Sequence, residues 1–246
     1  DIRQCSDSTK DILLVVSEFW GAYGHTTTDH IVPWFVTSRT FEMTSPTVQW
    51  YGKDNYNRPT APIEQNLLKF GTCLDLNIIP KVSVATGCYR KISIGYLYTF
   101  RPVIWPHVEA KDLKIIPKLK QWLQLAHGKL YKCYKHSDAS TPTNNWLLVK
   151  RTTGNTERVL HFNSDSNNPV SNYASVVGDR IKGMPNNIKW HTVNRLIAVE
   201  GSLFANQWLM PSKSKLVIIH LPRKTLVSMG IHGYVIWFTS LAMYLD

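Results

Sequence analysis

Hydrophobic and polar positions along the chain fall into short runs with two different periods. In "YRKISIGYLYTFRP", Ile92, Ile94, Tyr96, Tyr98 and Phe100 alternate with Lys91, Ser93, Gly95, Leu97 and Thr99. A period of two predicts a strand. In "PKLKQWLQLAHGK", Leu119, Trp122, Leu123 and Ala126 recur at helical spacing, and Lys118, Lys120, Gln121 and Gln124 take the opposite face. Pro117 suits the first helical position and Gly128 the stop. "TAPIEQNLLKFG" reads as a short helix, with Pro62 near its start and Gly71 at its end.

"LLVVSEFWGAYGH" reads as an apolar strand followed by a Gly-rich turn, and "PTVQWYG" and "WLLVKRTT" are further extended pieces. The polar stretches "KHSDASTPTNN" and "HFNSDSNNPVSN" separate them as loops. The last third reads as mostly strand, with turns at "GMPNN" and "MPSKSK". The expected architecture is α+β: one domain over 1–246, with a central, mostly antiparallel sheet and few helices.

Charge changes the picture more than composition does. Hydrophobic residues make up 43% of the 246 positions and charged residues 18%, which excludes a disordered chain. The net charge is +11, so polyanions are the first candidate partners. Basic residues concentrate between Arg90 and Arg158. Arg90, Lys91, Lys114, Lys118, Lys120, Lys129, Lys132, Lys135 and Arg151 are the candidates for binding sugar-phosphate backbone. Trp105, Tyr131 and Tyr134 interleave with them as stacking surfaces.

The four cysteines, Cys5, Cys73, Cys88 and Cys133, form no CxxC pair, which argues against a zinc knuckle. They predict two disulfides of open pairing and a secreted, extracellular protein. His107, His127 and His136 match no ligand spacing and are expected to be solvated. The apolar stretch Leu226 to Leu245 is long enough to span a bilayer, but Ser228, Gly230, His232, Gly233, Thr239 and Ser240 dilute it. No stable membrane association is expected.

"TTTDHIVPWF" carries the candidate chemistry nearest the start. Asp29-His30 before an apolar run is how the first half of an HNH nuclease site reads, with Asn57 or Glu64 downstream beside a Mg2+ ion. No closing His-x-x-x-Lys element follows, and His30 reads as an ordinary residue of a strand-and-loop region.

Over most of its length the chain resembles the DNA/RNA non-specific endonuclease family, the secreted ββα-metal nucleases. The resemblance rests on "MPNNIKWHTV", "GSLFANQWLMP", "SMGIHGYVIW", "WLLVKRTTGNTERV" and "ISIGYLYTFRP". It implies a ββα-metal nuclease-like fold. It places "FGTCLDL" at the family's Arg-Gly-His signature, so that Cys73 stands where the general-base His would be. A thiol, above all one tied in a disulfide, does not replace imidazole as a base near neutral pH. Asp112 is the remaining metal-ligand candidate, crowded by Lys111 and Lys114.

The resemblance therefore implies a degenerate, secreted nucleic-acid-binding protein. It would grip DNA or RNA through backbone phosphates, with little or no hydrolysis and no cofactor. The alternatives are an active Mg2+-dependent endonuclease using His30, and an extracellular module that binds a protein or acidic glycan.

Overall fold

The computed structural model of the chain describes residues 9–16, 26–51, 61–80, 88–95, 118–135, 143–151, 174–178, 188–199 and 202–219. From Asp11 onward, strand and helix alternate. β1 (Asp11–Val16) precedes a π-helical turn (Thr26–Ile31) that runs directly into α1 (Val32–Thr40). Then come β2 (Thr47–Tyr51), α2 (Ala61–Cys73), β3 (Asn77–Pro80) and β4 (Lys91–Ile94). After α3 (Leu119–Lys135) follow β5 (Thr143–Arg151), β6 (Ala174–Gly178), β7 (Val193–Val199) and β8 (Lys215–Ile219). A 3-10 turn (Trp190–Thr192) leads into β7, and a 3-10 helix (Ser202–Leu209) lies between β7 and β8.

Every described strand pair is parallel, in two four-stranded sheets ordered β3-β2-β1-β4 and β6-β5-β7-β8. The protein is therefore α/β, which overturns the mostly antiparallel, ββα-type architecture read from the sequence. Parallel neighbours need a crossover, and here helices supply it: α1 lies between β1 and β2, and α2 between β2 and β3. α1 is what the sequence pattern hid. Val32 through Ser38 are all buried, so "VPWFVTS" shows no polar face from which a helical period could be read. His30 accordingly lies in a helical turn and not in a strand.

Other elements stand close to expectation. α2 covers the stretch expected to be a short helix, and α3 runs through Gly128 to Lys135. "SLFANQWL", expected to be extended, is the 3-10 helix. β4 keeps its alternation, with Ile92 and Ile94 on the exposed side.

One buried cluster joins the two sheets. It contains Leu13 and Val15 of β1, Trp34 and Phe35 of α1, and Leu67 and Phe70 of α2. Leu123, Ala126 and Leu130 of α3 continue it to Leu147, Leu196, Phe204 and Trp208. α3 packs against α1, α2 and the 3-10 helix, so it is the element between the two sheets. Cys73 at the end of α2 and Cys133 in α3 form a disulfide, with Cα atoms 5.8 Å apart. Cys88 is also disulfide-bonded.

The amino ends of the first sheet are fastened by polar contacts. Asp11 opens β1 with a buried carboxylate that accepts from Arg90 Nε (3.0 Å) and Nη2 (2.7 Å), and from the Thr44 backbone N–H (2.7 Å). Lys91 Nζ donates to the Phe41 and Glu42 carbonyls, each at 3.0 Å, just past the end of α1. Asn77 N–H donates to the Pro46 carbonyl at 3.0 Å. The linking stretches at this edge are short, at 41–46 and 74–76.

Candidate ligand site at the carboxyl edges of the sheets

In open parallel sheets a ligand sits outside the carboxyl ends of the strands, where successive crossovers diverge and leave a crevice. The first sheet places β2 and β3 on one side of β1 and β4 on the other, so its divergence point lies between β1 and β4. The second places β6 on one side of β5, and β7 then β8 on the other, with divergence between β5 and β7. Both orders are doubly wound, with strands added on either side of the first.

Long sequence segments leave from these carboxyl ends: 17–25 after β1, 52–60 after β2, 152–173 after β5. The first is "SEFWGAYGH", with Gly21 and Gly24 three positions apart, directly ahead of the π-helical turn in sequence. In the sequence, 52–60 contains Lys53 and Arg58, and 81–87, which follows β3, begins with Lys81. Arg151 is the last residue of β5 and pairs in register with Gly178. At the end of β4, Gly95 takes φ +80 and its N–H donates to the Leu14 carbonyl at 2.8 Å. Only glycine holds that backbone without strain.

The π-helical turn after β1 is polar and buried: Thr26, Thr27, Thr28 and His30 are all inside. His30 has Trp34 beside it, with ring centroids 5.8 Å apart. On the second sheet, Asn206 and Gln207 of the 3-10 helix after β7 are buried as well. The Asn206 amide donates to the Leu203 carbonyl at 2.8 Å. Asn206 Oδ1, both polar atoms of the Gln207 side chain and Trp208 Nε1 find no hydrogen-bond partner among the described residues.

The structure distributes the expected binding residues unequally. Arg90 and Lys91 are engaged in the amino-edge contacts, at the opposite end of the first sheet from the carboxyl edge. Lys118, just ahead of α3, and Lys120, Lys132 and Lys135 on it are exposed. Lys118 Nζ stands 6.0 Å from the Trp122 ring and Lys135 Nζ 5.8 Å from that of Tyr131. Lys129 pairs with Asp75 at 2.6 Å, and Arg39 reaches the same carboxylate at 3.0 Å. Tyr134 is half-buried, with Lys69 on its ring at 5.4 Å and His191 at its edge. Burial pushes its phenol up from the ordinary range.

Cys73 offers no thiol, since its sulfur is in the disulfide with Cys133. Glu64 lies in α2. Asn57, Lys114, Asp112 and Trp105 lie outside the described residues, as do His107, His136 and the apolar stretch 226–245. Among the described residues no group of three His, Cys, Asp or Glu could hold a metal ion, and no helix is long and apolar enough to cross a membrane. His127, expected in solvent, is buried on α3, with Nε2 2.8 Å from the Met210 carbonyl. Burial lowers its pKa, and the bond to Met210 opposes part of that shift.

The sequence alone does not point to the Asn206-Gln207 pair, because "SLFANQWLMP" reads as a strand of the nuclease-like resemblance. The signal was the pair itself: two adjacent amides inside an otherwise apolar run. Comparison with known proteins finds no matching family, curated protein or solved structure.

Proposed function

We propose that this protein binds a nucleotide at the carboxyl edges of its parallel sheets and transfers a group that the nucleotide carries, in an oxidising compartment. The observation that carries the reading is the pair of strand orders, β3-β2-β1-β4 and β6-β5-β7-β8. In open parallel sheets the divergence point of such an order is the place where nucleotides bind. Two divergence points in one chain suit two substrates, a nucleotide-activated donor and an acceptor. In such a transfer an acceptor hydroxyl attacks the activated carbon, the carbon–oxygen bond to the diphosphate breaks, and the hydroxyl proton leaves to solvent or a base. The departing diphosphate takes the electron pair. Arg151, at the carboxyl end of β5, is the candidate cation to stabilise it. The Cys73–Cys133 disulfide supports the compartment.

A panel of nucleoside mono- and diphosphates and nucleotide-linked sugars, followed by calorimetry and thermal shift, tests the proposal. Saturable binding of one nucleoside diphosphate is expected, and Arg151→Glu should weaken it about tenfold or more. Absence of binding at millimolar nucleotide would overturn it.

A second reading keeps nucleic acid as the partner, because Lys120, Lys132 and Lys135 are exposed on α3 and Lys118 just ahead of it, in a chain of net charge +11. It predicts gel-shift affinity that falls steeply with salt, by about a factor of ten or more for a two- to fourfold rise when several phosphates are contacted. Salt-independent binding, or none, removes this reading.

A further inference from the structure

The Asn206-Gln207 pair on the 3-10 helix after β7 is the least explained polar feature of the interior. Phe204, Ala205, Trp208, Leu209 and Met210 around it are buried, and no residue between Ser202 and Met210 is charged. Asn206 is fully buried and Gln207 is 4% exposed. Three of their four amide oxygen and nitrogen atoms find no partner among the described residues. Trp190 Nε1, in the 3-10 turn that packs against this helix, is in the same condition.

The helix is not loosely held. It packs on α3, and the His127 ring fixes the carbonyl just beyond its end. A buried amide without a partner destabilises the fold, and an apolar side chain of the same size would fill the space without that cost. Groups kept against stability are characteristic of places where a ligand completes the hydrogen bonding. The placement agrees, since the helix begins three residues beyond the carboxyl end of β7, a strand at the divergence point of the second sheet.

We infer that Asn206 and Gln207 form the part of this edge that hydrogen-bonds the uncharged nucleoside portion of the ligand. The inference rests on the nucleotide reading above. Amides offer a donor and an acceptor side by side, which matches a base edge or a pair of ribose hydroxyls. They carry no charge with which to hold a phosphate.

Gln207→Met, which keeps the volume and removes both polar atoms, provides the test in the full-length chain. Without ligand its melting temperature should rise by about 2–4 °C. Its affinity for the preferred nucleoside diphosphate should fall about 10–100-fold, with inorganic pyrophosphate bound as tightly as by the wild type. Ribose 5-phosphate separates the sources: a loss there assigns the amides to the ribose, and retention assigns them to the base. A lower melting temperature with unchanged nucleotide affinity would make Gln207 a structural residue and overturn the inference, leaving nucleotide binding intact. Failure of the wild type to bind any nucleotide would remove both.

Discussion

Gly71 shows how a single position can be read correctly as glycine for the wrong reason. The sequence marks it as a helix stop, but α2 continues to Cys73. The turn is closed by Asp75 at φ 59, with Leu76 N–H donating to the Gly71 carbonyl (2.8 Å) and Asp75 N–H to that of Thr72 (3.1 Å). What requires glycine is the approach of β3. A Cβ at Gly71 would collide with Cδ1 of Ile78 and stand 2.8 Å from its Cγ1, with the Leu76 carbonyl at 3.3 Å. In an open helix Gly→Ala stabilises by up to about 1 kcal/mol. Gly71→Ala should instead destabilise by about 1–3 kcal/mol in urea unfolding. Cys73 is similar: its sulfur was expected to be bonded, and it is, but its partner Cys133 could not be chosen from sequence because four cysteines allow three pairings.

At the scale of elements, legibility followed amphipathicity. α2 and α3 could be located because each buries one side and exposes the other. Leu123, Ala126 and Leu130 of α3 are inside, whereas Lys120, Gln121 and Gln124 are outside. α1 could not be located, since its β-branched and aromatic residues are buried on all sides and mimic strand composition. Missing it removed a crossover, and without crossovers the strands could only be imagined as antiparallel. The divergence points were therefore illegible too. The α2–α3 disulfide joins residues 60 apart in sequence. The loop it closes restricts the unfolded chain, so the double variant Cys73→Ser with Cys133→Ser should lose about 2–4 kcal/mol, measured by thermal or denaturant unfolding.

For the molecule as a whole, acidity should weaken the fold in two stages. His127 is buried, and its pKa lies below the ordinary 6.5. As pH falls through that value, the unfolded chain takes a proton that the folded chain refuses, so stability declines below about pH 6.5. Asp11 is the second stage. The hydrogen bonds from Arg90, reinforced by the Thr44 N–H and the nearby cations, outweigh burial and hold its carboxyl below the ordinary 3.8. The unfolded chain again binds the extra proton, and stability drops further below about pH 4. Melting temperatures across pH 3–8 should show both stages, and His127→Gln should remove the upper one.

The shared interior has a practical corollary. Leu123 and Leu130 belong to the same cluster as Leu147, Leu196 and Trp208, so neither half can bury its apolar surface without the other. A chain nicked within 136–142 should elute as a single particle in gel filtration. The pieces expressed separately should be insoluble alone and regain native circular dichroism when refolded together, which makes this protein a candidate for a split reporter.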